Sequence, residues 1–211
     1  MHAPLRVAPL APEHRARIAE IVKATGMFSA EEAAVAVELF DEAYGEADGP
    51  SALGSRLSAE QAVAESREPR AASQSRAPAA YHFLGVFDGA ELLGYACHGP
   101  TPATDRTHDL YWIAVDPRAQ GAGAGTQLLA EVERRLAAGA ARLLVVETSG
   151  RDVYAPTRAF YRTRGYTEAA RVRDFYAPGD DRIVFTKRLS PAAQTYPVSH
   201  ESPAAGGVVQ P

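Results

Sequence analysis

The chain has 211 residues, enough for one compact domain with a sizeable core. A formal net charge of -4 argues against a general affinity for nucleic acid, and 46% hydrophobic residues is ordinary for a globular protein. Cys97 is the only cysteine, no run approaches the roughly 18 apolar residues of a membrane span, and the first residues lack the apolar core of a signal peptide. A cytoplasmic protein with no intrachain disulfide and no membrane partner is therefore expected. Lys23 and Lys187 are the only lysines among 22 basic residues; with the abundant Ala, this bias points to a GC-rich bacterial genome.

Leu5–Leu10 reads as a short first strand. Pro12 then opens a helix with Ile18, Ile21 and Val22 on one face. Ser29 followed by Glu32 is a capping-box signature for a second helix, on which Val35 pairs with Leu39 and Ala36 with Phe40. From Gly45 to Ala80 aromatics vanish and Ala, Ser, Glu, Arg, Gly and Pro dominate. This stretch reads as a flexible insertion, with a short helix at Ala59–Glu65 and a loop over Arg67–Ala80. Order resumes with a β-hairpin, His82–Phe87 and Glu91–Cys97, turning at Asp88-Gly89.

Asp109–Val115 is the next strand, closed by Asp116-Pro117. A glycine-rich turn follows, then a helix with Leu128, Leu129, Val132 and Leu136 on one face. Arg142–Glu147 is nearly all apolar, as for a strand buried on both faces. Thr157–Arg164 reads as a short helix capped by Gly165. Two strands, Thr167–Phe175 and Arg182–Leu189, flank the Pro178-Gly179 turn, and Ser190–Pro211 reads as a disordered tail. The order β-α-α-loop-β-β-β-α-β-α-β-β implies an α/β protein with a mixed sheet in one domain over 1–189, with one βαβ crossover from Asp109 to Glu147.

The informative segment runs from Ile113 to Thr126. Glycines leave backbone N–H groups unobstructed, and at a helix N-terminus those groups and the helix dipole suit a phosphate. An anion site is thus predicted over Gln120, Gly121, Ala122, Gly123, Ala124, Gly125 and Thr126. A dinucleotide fingerprint is one rival. It wants G-x-G-x-x-G directly after the strand, whereas here Asp116–Gln120 intervenes and the spacing is G-x-G-x-G; Glu147 nonetheless ends the next strand where a ribose-binding acid would sit. No Gly-Lys-Ser/Thr follows, which excludes a Walker P-loop.

Gln120, Gly123 and Gly125 match in register the pyrophosphate loop of the GCN5-related N-acetyltransferase (GNAT) family, Gln/Arg-x-x-Gly-x-Gly/Ala, and Val115-Asp116-Pro117 resembles the usual exit of that family's central strand. Downstream, Ala159-Phe160-Tyr161-Arg-Thr-Arg-Gly165-Tyr166 resembles its second signature. The resemblance covers Leu5–Leu189 apart from the insertion. It implies the GNAT (acyl-CoA N-acyltransferase) fold, a mixed central sheet of about six to seven strands flanked by helices. It also implies acetyl-CoA as cofactor, coenzyme A as product, and an amine-bearing small molecule or peptide as acceptor; a homodimer is compatible with it. Many relatives carry Asn seven residues before the tyrosine, where Tyr154 stands here, so that role is not carried over.

By resemblance, backbone groups of Ile113, Ala114 and Val115 pair with the cofactor's pantetheine arm like an added strand, and one N–H polarises the thioester carbonyl. The alternative is that these are core residues; both hold if backbone atoms bind while side chains pack. Tyr161 is the expected general acid and a cofactor contact, because a phenol of pKa near ~10 can protonate a thiolate of pKa near ~8.5. The bland reading is a tyrosine packed beside Phe160. For the base, Asp109 and His108 at the start of the central strand and Glu147 at the end of its neighbour are candidates, beside a water chain with no dedicated base. Cys97 and His98 are adjacent on a strand and point to opposite faces, so they form no nucleophilic pair. The histidines at 2, 14, 82, 98, 108 and 200 have no metal-ligand spacing, so no metal is expected. Asp174–Asp181 reads as an aromatic and acidic hairpin tip, either a solvated turn or a wall favouring a cationic acceptor. The competing function is a non-catalytic acyl-CoA-binding or interaction module on the same fold.

Overall fold

The structure is a computed structural model that describes residues 4–45 and 81–189. The helix expected at 59–65, the loop at 67–80 and the tail at 190–211 lie outside the described residues. Eleven elements follow in chain order: β1 (Arg6–Pro9), α1 (Arg15–Thr25), α2 (Ala30–Tyr44), β2 (His82–Asp88), β3 (Glu91–Pro100), β4 (Thr107–Val115), α3 (Ala124–Ala138), β5 (Leu143–Ser149), α4 (Ala155–Arg162), β6 (Thr167–Ala177) and β7 (Asp180–Arg188). The strands form one seven-stranded sheet in the order β1-β2-β3-β4-β5-β7-β6. Only β4 and β5 run parallel, joined by the α3 crossover.

Local chemistry accounts for the element ends. Pro12 opens a single 3-10 turn, and α1 proper starts at Arg15. The Ser29 hydroxyl accepts from the Glu32 N–H at 3.1 Å while the Glu32 carboxylate accepts from the Ser29 N–H at 2.7 Å, the expected capping box. Pro156 sits in the first turn of α4, so that helix begins and ends two residues earlier than the sequence pattern indicates. Gly165 lies beyond its end at φ +81°, a conformation that favours glycine. The β6–β7 turn is Pro178-Gly179, as expected, with Gly179 at φ +82°.

The sheet is packed on both faces, but not along its whole width. On one face Leu128, Leu129, Val132 and Leu136 of α3 pack on Leu84, Val86, Ala96, Leu110, Leu144 and Val146. On the other, Ile18, Ile21 and Val22 of α1 and Ala36, Leu39 and Phe40 of α2 cover Phe83, Tyr95, Cys97 and Ala114. Burial of each large apolar side chain contributes about 1.5–3 kcal/mol. The second helix layer reaches β3 and β4 and stops there. For that reason β5 is not buried on both faces as its composition suggests: Leu144 and Val146 are buried, while Glu147 is exposed.

Candidate active site

The site arises where β4 leaves β5. Parallel pairing runs from Thr107↔Leu143 to Leu110↔Val146 and then stops. Beyond it β5 continues to Ser149 paired only with β7, and β4 continues to Val115 paired only with β3. The cause is in the β3–β4 register, where Cys97↔Trp112 is followed by His98↔Leu110 and Tyr111 is the extra residue. A bulge bends its strand and increases its twist, which turns β4 away from its parallel neighbour. Tyr111–Val115 and Glu147–Ser149 therefore face each other across a cleft of about 560 Å³. Alternate backbone groups on each edge point into that gap without a strand partner. Ile113, Ala114 and Val115 line it, as the sequence reading requires of a strand-like ligand contact.

One end of the cleft opens onto the glycine turn. Val115, Gln120, Gly125 and Phe160 border both spaces. Asp116 fixes the exit of β4: it accepts from the Arg118 N–H at 2.9 Å and from Arg17 of α1 at 2.5 Å. Its carboxylate is held well below the usual range, chiefly by the Arg118 side chain. Gly121 and Gly123 adopt φ +81° and +86°, and a Cβ at either would meet nothing within 4 Å. Gly123 is the N-cap of α3 and brings no side-chain cap; the Gln127 N–H is the first to reach a carbonyl of the turn, Gly123 O, at 3.0 Å. The N–H groups of the first helical turn are therefore free for a ligand. Gly125 differs: a Cβ there would lie 3.6 Å from both Phe160 and Val115, an ordinary contact, so the position admits a small side chain.

The predicted site residues separate in space. Tyr161 lines the cleft and is 2% exposed, with Phe160, Tyr166 and Phe185 around its ring at centroid distances of 5.3, 5.4 and 5.9 Å. Its hydroxyl has no hydrogen bond among the described residues, and burial raises its pKa above the ordinary phenol value. Glu147 also lines the cleft and pairs with Arg182 of β7. Asp109 does not border the cleft: its carboxylate accepts from the Thr101 hydroxyl at 2.6 Å, and burial raises its pKa. His108 lies away from the cleft near His82, with its Nδ1 enclosed and unpartnered and its pKa lowered by burial.

Tyr154 and the Asp174–Asp181 tip, both noted in the sequence, also contribute to the cleft, while Phe28, Trp112 and Arg151 carried no functional signal there. Tyr154 is 8% exposed and its hydroxyl donates to Met27 O at 3.1 Å, tying the loop after β5 to the α1–α2 connection. Asp180 accepts from the Ser149 hydroxyl at 2.5 Å and pairs with Arg151 at 3.1 Å, so the hairpin tip is anchored to the end of β5. Tyr176 of that hairpin completes the wall opposite Phe28 and Trp112, whose rings lie 4.7 Å apart. Glu32, Glu147 and Asp180 all act on the Tyr176 hydroxyl, raising its pKa after the larger effect of burial. The part of the cleft lined by these residues is thus aromatic and acidic, with Arg151 as the cation among the described lining residues.

The profile of the acetyltransferase (GNAT) family matches residues 47–166. A solved GNAT-family protein from Desulfovibrio desulfuricans is 35% identical, with 88% of this chain and 99% of that one covered at a TM-score of 0.69. The same fold recurs, at 17% identity and a TM-score of 0.62 over 91% of this chain and 98% of that one, in the ribosomal-protein-S18-alanine N-acetyltransferase from Escherichia coli. It recurs again, at 12% identity and 0.61 over 90% and 99%, in an aminoglycoside 6'-N-acetyltransferase complexed with coenzyme A. No curated protein sequence matches the chain. A split parallel strand pair that opens onto a glycine-lined helix N-terminus, a family profile over more than half of the length, and a family structure 35% identical across nearly both chains agree: the chain belongs to the GNAT acetyltransferase family and is an acyltransferase.

Proposed function

We propose that the chain is a cytoplasmic bacterial N-acetyltransferase that uses acetyl-CoA and acetylates a cationic amine of a small molecule or peptide. The observation that carries this reading is the continuity of the β4–β5 cleft with the glycine turn. A phosphate fits the unpaired N–H groups of Gly121 and Gly123–Thr126, and an extended amide-bearing arm fits the open edge of Ile113–Val115. When bound, acetyl-CoA supplies the activated acetyl group. Solved relatives of this fold that contain coenzyme A support the choice.

Backbone N–H groups of the β4 edge orient and polarise the carbonyl of whatever lies along them. Tyr161 holds a proton in the cleft, where a departing thiolate needs one. The burial that raises its phenol pKa raises that of a thiolate beside it for the same reason, so transfer between them stays feasible. Among the candidate bases, Glu147 shares the cleft with Tyr161 and suits removal of an amine proton, directly or through water. Asp109 is engaged by Thr101 instead. Phe28, Trp112 and Tyr176, with Glu32 and Asp180, favour an acceptor that joins an apolar body to a positive charge.

The test is an amine and peptide panel with acetyl-CoA, following free thiol and acetylated product by mass. Turnover on a cationic amine is expected. Coenzyme binding without turnover on any amine would leave the acyl-CoA-binding module, and absence of coenzyme binding would overturn the reading.

A further inference from the structure

The glycine turn offers neutral donors, yet one strongly charged side chain stands at its rim. Arg164, just after α4, lines the turn with Gly121, Gly123 and Thr126. Arg162, Arg171 and Arg182 are paired to Glu168, Asp181 and Glu147 in turn. Arg164 forms no ion pair among the described residues. Its guanidinium instead lies over the Phe160 ring, 3.7 Å from the centroid. Nη1 donates to Phe160 O at 2.9 Å and to Thr163 Oγ1 at 3.1 Å, Nη2 donates to Thr126 Oγ1, and Nε is enclosed with no partner.

This arrangement has chemical consequences. A guanidinium carries five N–H donors in a rigid plane, and here the plane is fixed by stacking and by three acceptors. Because Thr126 Oγ1 accepts from Arg164, the hydroxyl's own proton is free to point elsewhere, and Thr126 is in the first turn of α3. Arg164 thus adds a full positive charge and orients a further donor at a helix end worth about half a charge. Phe160 also borders the acyl cleft, so the ring that carries the cation separates the two ends of the ligand space.

We propose that Arg164, held on Phe160 and Thr126, is the cation that binds the diphosphate of the coenzyme at the glycine turn. The inference rests on the coenzyme reading above and goes further by naming the charged partner and the part of the ligand it contacts. With Nε enclosed and three N–H groups already engaged, one Nη2–H remains to donate to a phosphate oxygen, beside a full charge that the Phe160 stack holds in place and a lysine ammonium would not keep there.

The test measures affinities of coenzyme A, dephospho-coenzyme A (no 3'-phosphate) and pantetheine (no phosphate) for the wild type, Arg164→Ala and Arg164→Lys. Arg164→Ala should weaken both coenzymes equally, on the order of tenfold to a hundredfold, as for loss of a charge-assisted hydrogen bond. Pantetheine should change less than about twofold, since it has no phosphate to lose. Arg164→Lys should fall between, and the penalty should shrink as salt rises. A loss confined to coenzyme A would move the contact to the 3'-phosphate and overturn the proposal. An equal loss for pantetheine would make Arg164 a prop for Phe160, and unchanged affinities would remove its role. If the wild type binds no coenzyme, the coenzyme reading fails and takes this inference with it; if the wild type binds and both variants bind as well, only this inference fails.

Discussion

Tyr161→Phe tests the chemistry with little disturbance to the fold. The hydroxyl has no hydrogen bond among the described residues, and the three ring contacts to Phe160, Tyr166 and Phe185 survive the change. Removing an unpartnered hydroxyl from a residue only 2% exposed costs the fold roughly nothing, so Tm should stay within about 2 °C. General-acid contributions are on the order of 10²-fold, equivalent to about 2.7 kcal/mol in the barrier. The loss should appear in kcat and much less in coenzyme affinity, because the thiolate charge develops only as the carbon–sulfur bond breaks. Tyr166→Phe is the control. That tyrosine is also buried, but its hydroxyl donates to Glu133 at 2.9 Å and does not border the cleft. It should lose about 1 kcal/mol of stability and keep its kcat. The assay is thiol release under conditions where chemistry limits the rate. If Tyr161→Phe turns over within about threefold of wild type, the acid is not Tyr161 and the protonation argument is wrong.

Two further outcomes follow from the glycine turn and the histidines. Gly123→Ala places a Cβ in open space at φ +86°, so it should fold with a lower Tm and lose most of its thermal stabilisation by coenzyme A. Gly125→Ala, helical and within ordinary contact of Phe160 and Val115, should gain up to ~1 kcal/mol; equal coenzyme stabilisation of Gly123→Ala and wild type would refute the assignment of the turn. His98 is 5% exposed, and burial, helped by His82, His108 and Arg135, lowers its pKa from 6.5 to about 4. The unfolded chain therefore binds more protons than the native one as pH falls through 6.5, and stability is lost on acidification. Between pH 6.5 and 5 this single group costs on the order of 1–2 kcal/mol, read as a Tm drop of a few degrees that His98→Phe should largely remove.

What the sequence could show follows the range of the forces involved. The α3 face, the Ser29 capping box and the hairpins depend on neighbours within a few residues, and they appear in the structure nearly as read. The glycine turn was legible because its chemistry lies in the backbone of consecutive residues. Tyr161 is named through the family resemblance and Glu147 as a strand end, and that both line one cleft appears only in the structure. Asp109 looked equivalent to Glu147, but whether a strand-end carboxylate meets solvent or Thr101 depends on a loop eight residues away and the depth of the second helix layer. Arg164 lay inside the recognised Ala159–Tyr166 segment without a role, since no local pattern says that its plane lies on Phe160 and reaches Thr126.

The position of the bulge decides whether these parts make one site. In a βαβ crossover the helix starts beyond the C-terminal end of the first strand, and the second parallel strand finishes at that same end. The glycine turn is therefore fixed at the end of the sheet where Val115 and Ser149 lie. Pairing of β4 with β5 is kept at Thr107–Leu110 and given up from Tyr111 onward, so the strands part beside the helix N-terminus. Had they parted at the other end, the opening and the anion site would lie about 15 Å apart, the length of some five strand residues, with a closed sheet between them. One extra residue opposite the Cys97–His98 step places an extended, amide-lined groove in line with the glycine turn, and Phe160 meets both because α4 returns across that same end.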